Sequence, residues 1–401
     1  MGDAARRELS EGSGRPGLLS AIAGSGVAVI YLPQPIEPLV AAEFGLPAAG
    51  ATGGTTAVAL GYALGIWVLV PLNDRLAARS QVTWQLLICV GALVGAALAW
   101  SYPAFVAACF AAGVAATYAQ VLVPTALRLA APRNRARTAG LLLGALLIGS
   151  FLPRTAMGAV ADAAGWRPAL LAAATALLLV LLGARAVPAG RPQQPPGWWA
   201  VVASLPRVVT SSRGLLLLTA LHASAFSAFF TAWAYSTVYA VDTLGLPVTR
   251  AALIGVVGVA AGVLAMVASG VHDRVGARRS LTVALTLVVA GAAVLALAPA
   301  GRVQLGVGLF LLSLGMIASQ VTTQSRALAT VDPGRTGRAN TVFLAVTFAA
   351  GSGLTALAGT LYRAHGFAAV TALSLLLAGC AAILAVAAIR SGLIGTARRA
   401  S

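Results

Sequence analysis

The chain has 401 residues, of which 59% are hydrophobic and only 9% charged, against roughly 25% charged in an ordinary soluble domain. A water-soluble fold would leave too much apolar surface exposed with this composition, whereas helices facing lipid require it. The net charge of +17 comes from 27 arginines with no lysine, and long apolar runs separate those arginines; this argues against nucleic acid as a partner and for loops beside membrane spans.

Residues 1–16 form a polar tail of mixed charge, read as cytoplasmic and without a cleavable leader. A helix needs about 20 apolar residues to cross a bilayer. Runs of that kind fall at about 17–41, 53–72, 81–100, 103–127, 138–161, 167–187, 214–240, 250–271, 280–299, 303–325, 338–361 and 366–390, numbered here as spans one to twelve. They predict an all-α membrane protein with a six-helix bundle over 17–187, a cytoplasmic linker over 188–213, a second bundle over 214–390 and a cytoplasmic tail over 391–401. The linker contains Pro195-Pro196 and Trp198-Trp199; it reads either as a plain tether or as one carrying a short surface helix from Trp198 to Leu205. With the N-terminus inside, 22 arginines fall in cytoplasmic segments, four (Arg167, Arg250, Arg302, Arg363) in outer segments, and Arg154 within a span. That asymmetry predicts both termini in the cytoplasm of a bacterial inner or plasma membrane.

The sequence repeats at half its length. Asp74-Arg75 with Arg79 recurs as Asp273-Arg274 with Arg278, Gly45-Leu46-Pro47 as Gly245-Leu246-Pro247, Gln120-Val121 as Gln320-Val321, and Gly158 and Gly165 as Gly359 and Gly366. Six spans per repeat preserve orientation, so the two bundles are expected to be related by an axis along the membrane normal, with a substrate site between them.

Ionisable groups inside spans are costly and are functional candidates by default. Glu37 is placed in span one on one helical face with Tyr31 and Gln34, Arg154 in the outer half of span five, and His222 in span seven. Glu37 reads as a proton carrier or a solvated vestibule residue, Arg154 as a substrate group or a structural clamp, and His222 as packing or a proton carrier. Gln120 and Gln320 are cavity or bridging candidates; Trp233, Tyr235, Tyr62 and Trp67 are aromatic walls or plain core. The three cysteines and three histidines are scattered, so neither a metal centre nor a cofactor nor a disulfide framework is predicted.

Leu72-Asn73-Asp74-Arg75 with Arg79, and His272-Asp273-Arg274-Val275-Gly276 with Arg278-Arg279, resemble the loop signature of the major facilitator superfamily. Tyr31, Gln34-Pro35, Pro38 and Glu43-Phe44-Gly45 resemble the first span of bacterial efflux-permease-like members, and Arg154-Thr155 with Gly158 and Gly165-Trp166-Arg167 their fifth span and following loop. Departures are Val70 and Ala77 where the signature has glycine, Cys109 near the place of a fourth-span arginine, and Pro153-Arg154 in place of an intact fifth-span motif. The resemblance implies a monomeric secondary transporter working by alternating access, with proton-coupled export of a small organic molecule such as a drug, metabolite or sugar-like compound. The alternatives are an uptake permease or passive facilitator on the same fold and, from a different class, a membrane-embedded enzyme. Asp74, Arg75, Arg79, Asp273, Arg274 and Arg278 read as gating residues, Asp74 docking on the first turn of span eleven and Asp273 on that of span five, where N–H groups are unpaired, or the four arginines serve only to set topology.

Overall fold

The computed structural model describes residues 16–47, 52–130, 134–187, 197–297 and 301–394. The N-terminal tail, most of the proline-rich linker and the end of the C-terminal tail lie outside the described residues, as do the side chains of Asp74, Asp273 and Arg274.

Twelve membrane-crossing helices are present among the described residues. Ten helices have the length and hydropathy of a membrane span, and one of these, Thr336–Arg390, is two spans meeting at Gly366. The shorter apolar helix Pro16–Tyr31, extended past a break by Glu37–Glu43, completes the set as span one. Span two is Gly53–Leu69, followed by a 3-10 turn over Val70–Asp74; span three is Ala78–Ala97. Span four is divided into Tyr102–Ala115 and Tyr118–Leu129, span five is Arg135–Ala164 and span six Trp166–Leu182. An amphipathic helix, Trp198–Ser211, then lies across the base of the molecule with Val201, Leu205 and Val208 buried; Trp198 Nε1 donates to the Val68 carbonyl at 2.8 Å. Spans seven to ten are Arg213–Asp242, Val248–Ala252 continued by Ile254–Val275, Ala277–Ala296 and Arg302–Leu328. Exposed Leu179, Leu182, Leu376 and Ile383 belong to the apolar girdle that lipid covers.

The internal repeat is visible in the backbone. Gly45 and Gly245 end spans one and seven at φ 64° and 61°, and Gly165 and Gly366 turn the chain between the last two spans of each bundle at φ 92° and 69°. Side chains disfavour this left-handed region, so glycine recurs at both places. Spans two and four touch through bare backbone: a Cβ on Gly113 would sit 2.0 Å from the Val58 carbonyl oxygen.

Span one departs from the expected single helix. Pro33 and Pro35 lack N–H groups and break it after Tyr31, and Pro38 sits in the first turn of the second piece, where proline is tolerated. Tyr31, Gln34 and Glu37 therefore do not share one helical face: Tyr31 ends the first helix, Gln34 lies in the break and Glu37 opens the second.

Candidate functional site

Among the described residues, Arg154 is the fully buried arginine, and it lies at the interface between the bundles. Span five carries it inward just after Pro153, and its guanidinium reaches across to span seven. Nη1 donates to Gln34 Oε1 at 2.8 Å and to the Trp233 carbonyl at 3.5 Å; Nη2 donates to Ser236 Oγ at 3.0 Å and to Thr237 Oγ1. Its carbon lies 4.8 Å from the centre of the Trp233 ring. Trp233, Ser236 and Thr237 are spaced i, i+3 and i+4, so one face of span seven supplies the carbonyl, both hydroxyls and the aromatic face. Trp233 is itself fixed from span ten, its Nε1 donating to Ser313 Oγ at 2.9 Å.

No carboxylate joins this set. The ion pairs among the described residues are Glu43–Arg167 and Asp332–Arg335, and the latter is exposed. A guanidinium held only by neutral acceptors has no ion-pair partner in contact to cancel its charge. Its Nε has no hydrogen-bond partner, nor does Gln34 Nε2 beside it.

Glu37 is fully buried in the same layer. Its Oε1 accepts from the Thr55 backbone N–H at 2.7 Å. The carboxylate thus caps the N-terminus of span two, where unpaired N–H groups and the helix dipole favour negative charge. Glu37 Oε2 has no partner. Glu37 and Arg154 are within electrostatic reach of each other but form no ion pair in this structure; the proline break turns the acid toward span two and leaves Gln34 facing the arginine.

Further hydrogen bonds join the bundles beside Arg154, toward the arginine-poor end. Thr52, at the start of span two, shares one of 2.5 Å with the Tyr235 hydroxyl. Thr155 donates to the Ala252 carbonyl at 3.0 Å, and Thr249 donates to Asp162 at 2.5 Å. On the other side of Arg154 an aromatic layer crosses the interface. Tyr31 lies 6.3 Å from Phe151 and 6.2 Å from Phe230; Phe348 lies 4.9 Å from Phe226 and 4.7 Å from Tyr62. His222 is buried and stacked on Phe343 at 5.1 Å, in the setting of a packed ring. Gln120 donates to Tyr62 at 3.0 Å and so bridges spans four and two; Gln320 is half-buried in span ten.

At the arginine-rich end, Arg79 Nε donates to the Val187 carbonyl at 2.6 Å, tying span three to the end of span six, while Arg75 and Arg278 are exposed. At the opposite end Glu43 holds two neighbours: Arg167 Nη2 approaches it to 2.6 Å, and Trp166 Nε1 donates to it at 2.5 Å. The Arg167 contact lowers the Glu43 carboxyl below the ordinary carboxylate range. Sequence reading named Arg154, Gln34, Glu37 and Trp233, which the structure brings into one layer. It passed over Ser236, Thr237, Thr52, Thr55, Phe151, Phe230 and Phe348. The i, i+3, i+4 spacing of Trp233, Ser236 and Thr237 was the available signal for two of these. Among the described residues no three His, Cys, Asp or Glu side chains come together as a metal site requires.

The sequence pattern of the Major Facilitator Superfamily matches residues 17–356. A probable transporter of Streptomyces coelicolor, SCO4007, is 30% identical over 382 residues, 92% of this chain and 88% of the relative. The putative uncharacterized transporter YgaY of Escherichia coli is 34% identical over 165 residues; that match spans 41% of this chain and 42% of YgaY, less than half of either. Among solved structures, a POT family transporter superposes with a TM-score of 0.73 at 10% identity, covering 97% of both chains, and the nucleoside transporter NupG with 0.66 at 14%, covering 96% of this chain and 99% of NupG. Likeness at such identity speaks for the fold alone. The family pattern, the relative spanning most of the chain and the two-bundle fold agree: this chain is a transporter that belongs to the Major Facilitator Superfamily.

Proposed function

We propose that the protein is a secondary active transporter that works by alternating access and couples movement of a small organic molecule to protons, with Glu37 carrying the proton and Arg154 meeting the substrate. The observation that carries this reading is the set of Arg154 hydrogen bonds across the bundle interface. The bundles cannot part at this end without stripping the guanidinium of its span-seven acceptors, and an approaching substrate can replace them. Protonation of Glu37 would weaken its hold on the N-terminus of span two. Span two in turn carries Thr52, the partner of Tyr235, so the proton and the gate share one helix. Export is the direction implied by the resemblance to efflux permeases.

Arginine asymmetry supports cytoplasmic termini, which makes the hydrogen-bonded end the outer one. Reporter fusions after Arg191 and after Gly245 should then report opposite sides; the same side for both contradicts the topology. Asp74 and Asp273 are proposed to latch the arginine-rich end when it closes, so Asp74→Asn should raise cysteine accessibility from that side.

The coupling is tested in proteoliposomes containing a trapped pH dye, reconstituted in both orientations and challenged with a panel of small organic anions, neutral compounds and cations. Wild-type protein is expected to move protons with at least one of them, and Glu37→Gln with none. A proton signal that survives Glu37→Gln contradicts the role given to Glu37.

A further inference from the structure

The asymmetry of charge around Arg154 narrows the substrate. Its partners are one amide oxygen, one carbonyl and two hydroxyls, and the acid of its layer is spent on the N-terminus of span two. Opening the interface removes the three span-seven acceptors and leaves Gln34. A guanidinium so stripped needs an anion, and a cationic ligand would meet uncancelled positive charge in a low-dielectric setting. Beside the guanidinium stand flat apolar walls: Trp233 with its face to the cation, Phe151 at 5.2 Å from Trp233, and Tyr31 and Phe230 beyond. Walls of this kind favour a planar ring over a flexible chain.

We propose that the ligand of this site is an organic anion with a planar aromatic body, its acidic group on Arg154 and its ring among Tyr31, Phe151, Phe230 and Trp233, and that it is carried together with a proton on Glu37. This deepens the transport reading above and rests on it for the word carried. The second part follows from linkage. Ionised Glu37 offsets part of the field of Arg154; protonated Glu37 uncovers it and favours the anion, and the bound anion must favour protonation by the same factor. Anion and proton therefore travel in the same direction, whereas a cation would exchange against the proton. In an energised membrane with protons flowing inward this gives uptake, so the inference and the export reading make opposite predictions. The titratable and charged groups facing Glu37 are Arg154 of span five, Tyr102 and Cys109 of span four and Tyr235 of span seven. Of these groups the carboxyl is the one whose ordinary acidity lies below neutral, so Glu37 is assigned the proton.

The test is equilibrium binding to purified wild-type protein in nanodiscs, with naphthoate, naphthamide and naphthyl-trimethylammonium as probes, from pH 5.5 to 8. The acid of naphthoate itself stays ionised across that range, its carboxyl titrating at about pH 4. Naphthoate should bind, at least tenfold tighter than the amide, and the cation should not. Naphthoate affinity should rise as pH falls, by at most about tenfold per pH unit for one linked proton. Glu37→Gln should bind tightly at every pH, Arg154→Gln should lose at least tenfold, and Arg154→Lys should retain part of the affinity. Equal binding of the amide or the cation, affinity that is flat or falls as pH falls in wild type, or no binding of any probe overturns the proposal; the wild-type comparisons do not depend on a variant folding. Binding as described without proton flux in proteoliposomes would leave the site standing and remove the transport coupling.

Discussion

The two bundles share a backbone plan and differ in what they bury. At an offset of 200 Glu37 falls on Thr237, and at an offset of 201 Arg154 falls on Thr355. The N-terminal bundle thus buries an acid and an arginine where the C-terminal bundle buries two threonines, and Thr237 is itself one of the acceptors of Arg154. Apart from His222, the buried polar side chains of the C-terminal bundle are, among the described residues, hydroxyls. A hydroxyl serves as a replaceable partner. Net contributions of hydrogen bonds between a charged and a neutral group run about 1.5–3 kcal/mol each, whereas breaking a buried ion pair leaves an uncompensated charge at about 3–5 kcal/mol. A bundle of hydroxyls facing a bundle of charges can release its hold at a cost that alternating access tolerates. A carboxylate in the place of Thr237 would pair with Arg154 across the interface and lock it.

That contrast can be broken at its strongest point first. Arg154→Ala should abolish transport and binding, a loss of at least a hundredfold in initial rate, because no other described side chain in the layer brings positive charge. Next, Glu37→Gln and Glu37→Ala separate two duties of one carboxylate. Both should lose pH-driven transport while substrate exchange at equal pH persists. Only the alanine should also lose the cap on span two, at a cost of about 0.5–2 kcal/mol in an unfolding measurement. Equal stability of the two variants would contradict the cap. Smaller effects on transport belong to the C-terminal side. Thr237→Val removes one acceptor and should cost about 1–3 kcal/mol as a buried donor loses its partner, while Tyr235→Phe, which removes the contact with Thr52, should lower the stability of the closed end by less.

The smallest effect is expected at Glu43, exposed at the outer end of span one. Its folded pKa is lowered by Arg167, so its contribution is present above the unfolded value of about 4.3 and is lost as pH falls through the folded value. The pair is partly exposed, so Glu43→Gln should cost at most about 1 kcal/mol at neutral pH, shrinking as pH falls through the folded value. A cost that does not shrink in acid would assign the effect to the Trp166 contact instead.

Much of this architecture can be read in the sequence, because hydropathy marks spans and arginine marks loops. The repeat is legible where glycine is required, as at Gly45 and Gly245 or Gly165 and Gly366. Arg154, Glu37 and Gln34 stand out because polar groups within spans are rare. Their partners do not stand out. Ser236 and Thr237 lie 82 and 83 residues from Arg154, and which face of span seven meets span five depends on helix rotation. A helix that is apolar on nearly all sides, as span seven is, gives rotation no hydropathy signal. The prolines of span one were visible, but their consequence, an acid swung from its own helix onto the N-terminus of another, needs three-dimensional placement. For Asp74 and Asp273 the expected docking lies outside the described side chains and stands as proposed.

The central claim is that Arg154 holds the bundles together at the arginine-poor end through neutral partners and must let go for that end to open. Spin labels at exposed Ala164 and Thr243, on a background with Cys89, Cys109 and Cys380 replaced, read the opening directly by pulsed electron resonance. Wild-type protein without ligand should show a dominant short distance, and Arg154→Gln should transfer a large share of that population to a longer one. A distance distribution unchanged by Arg154→Gln, in protein that remains folded, would contradict the account.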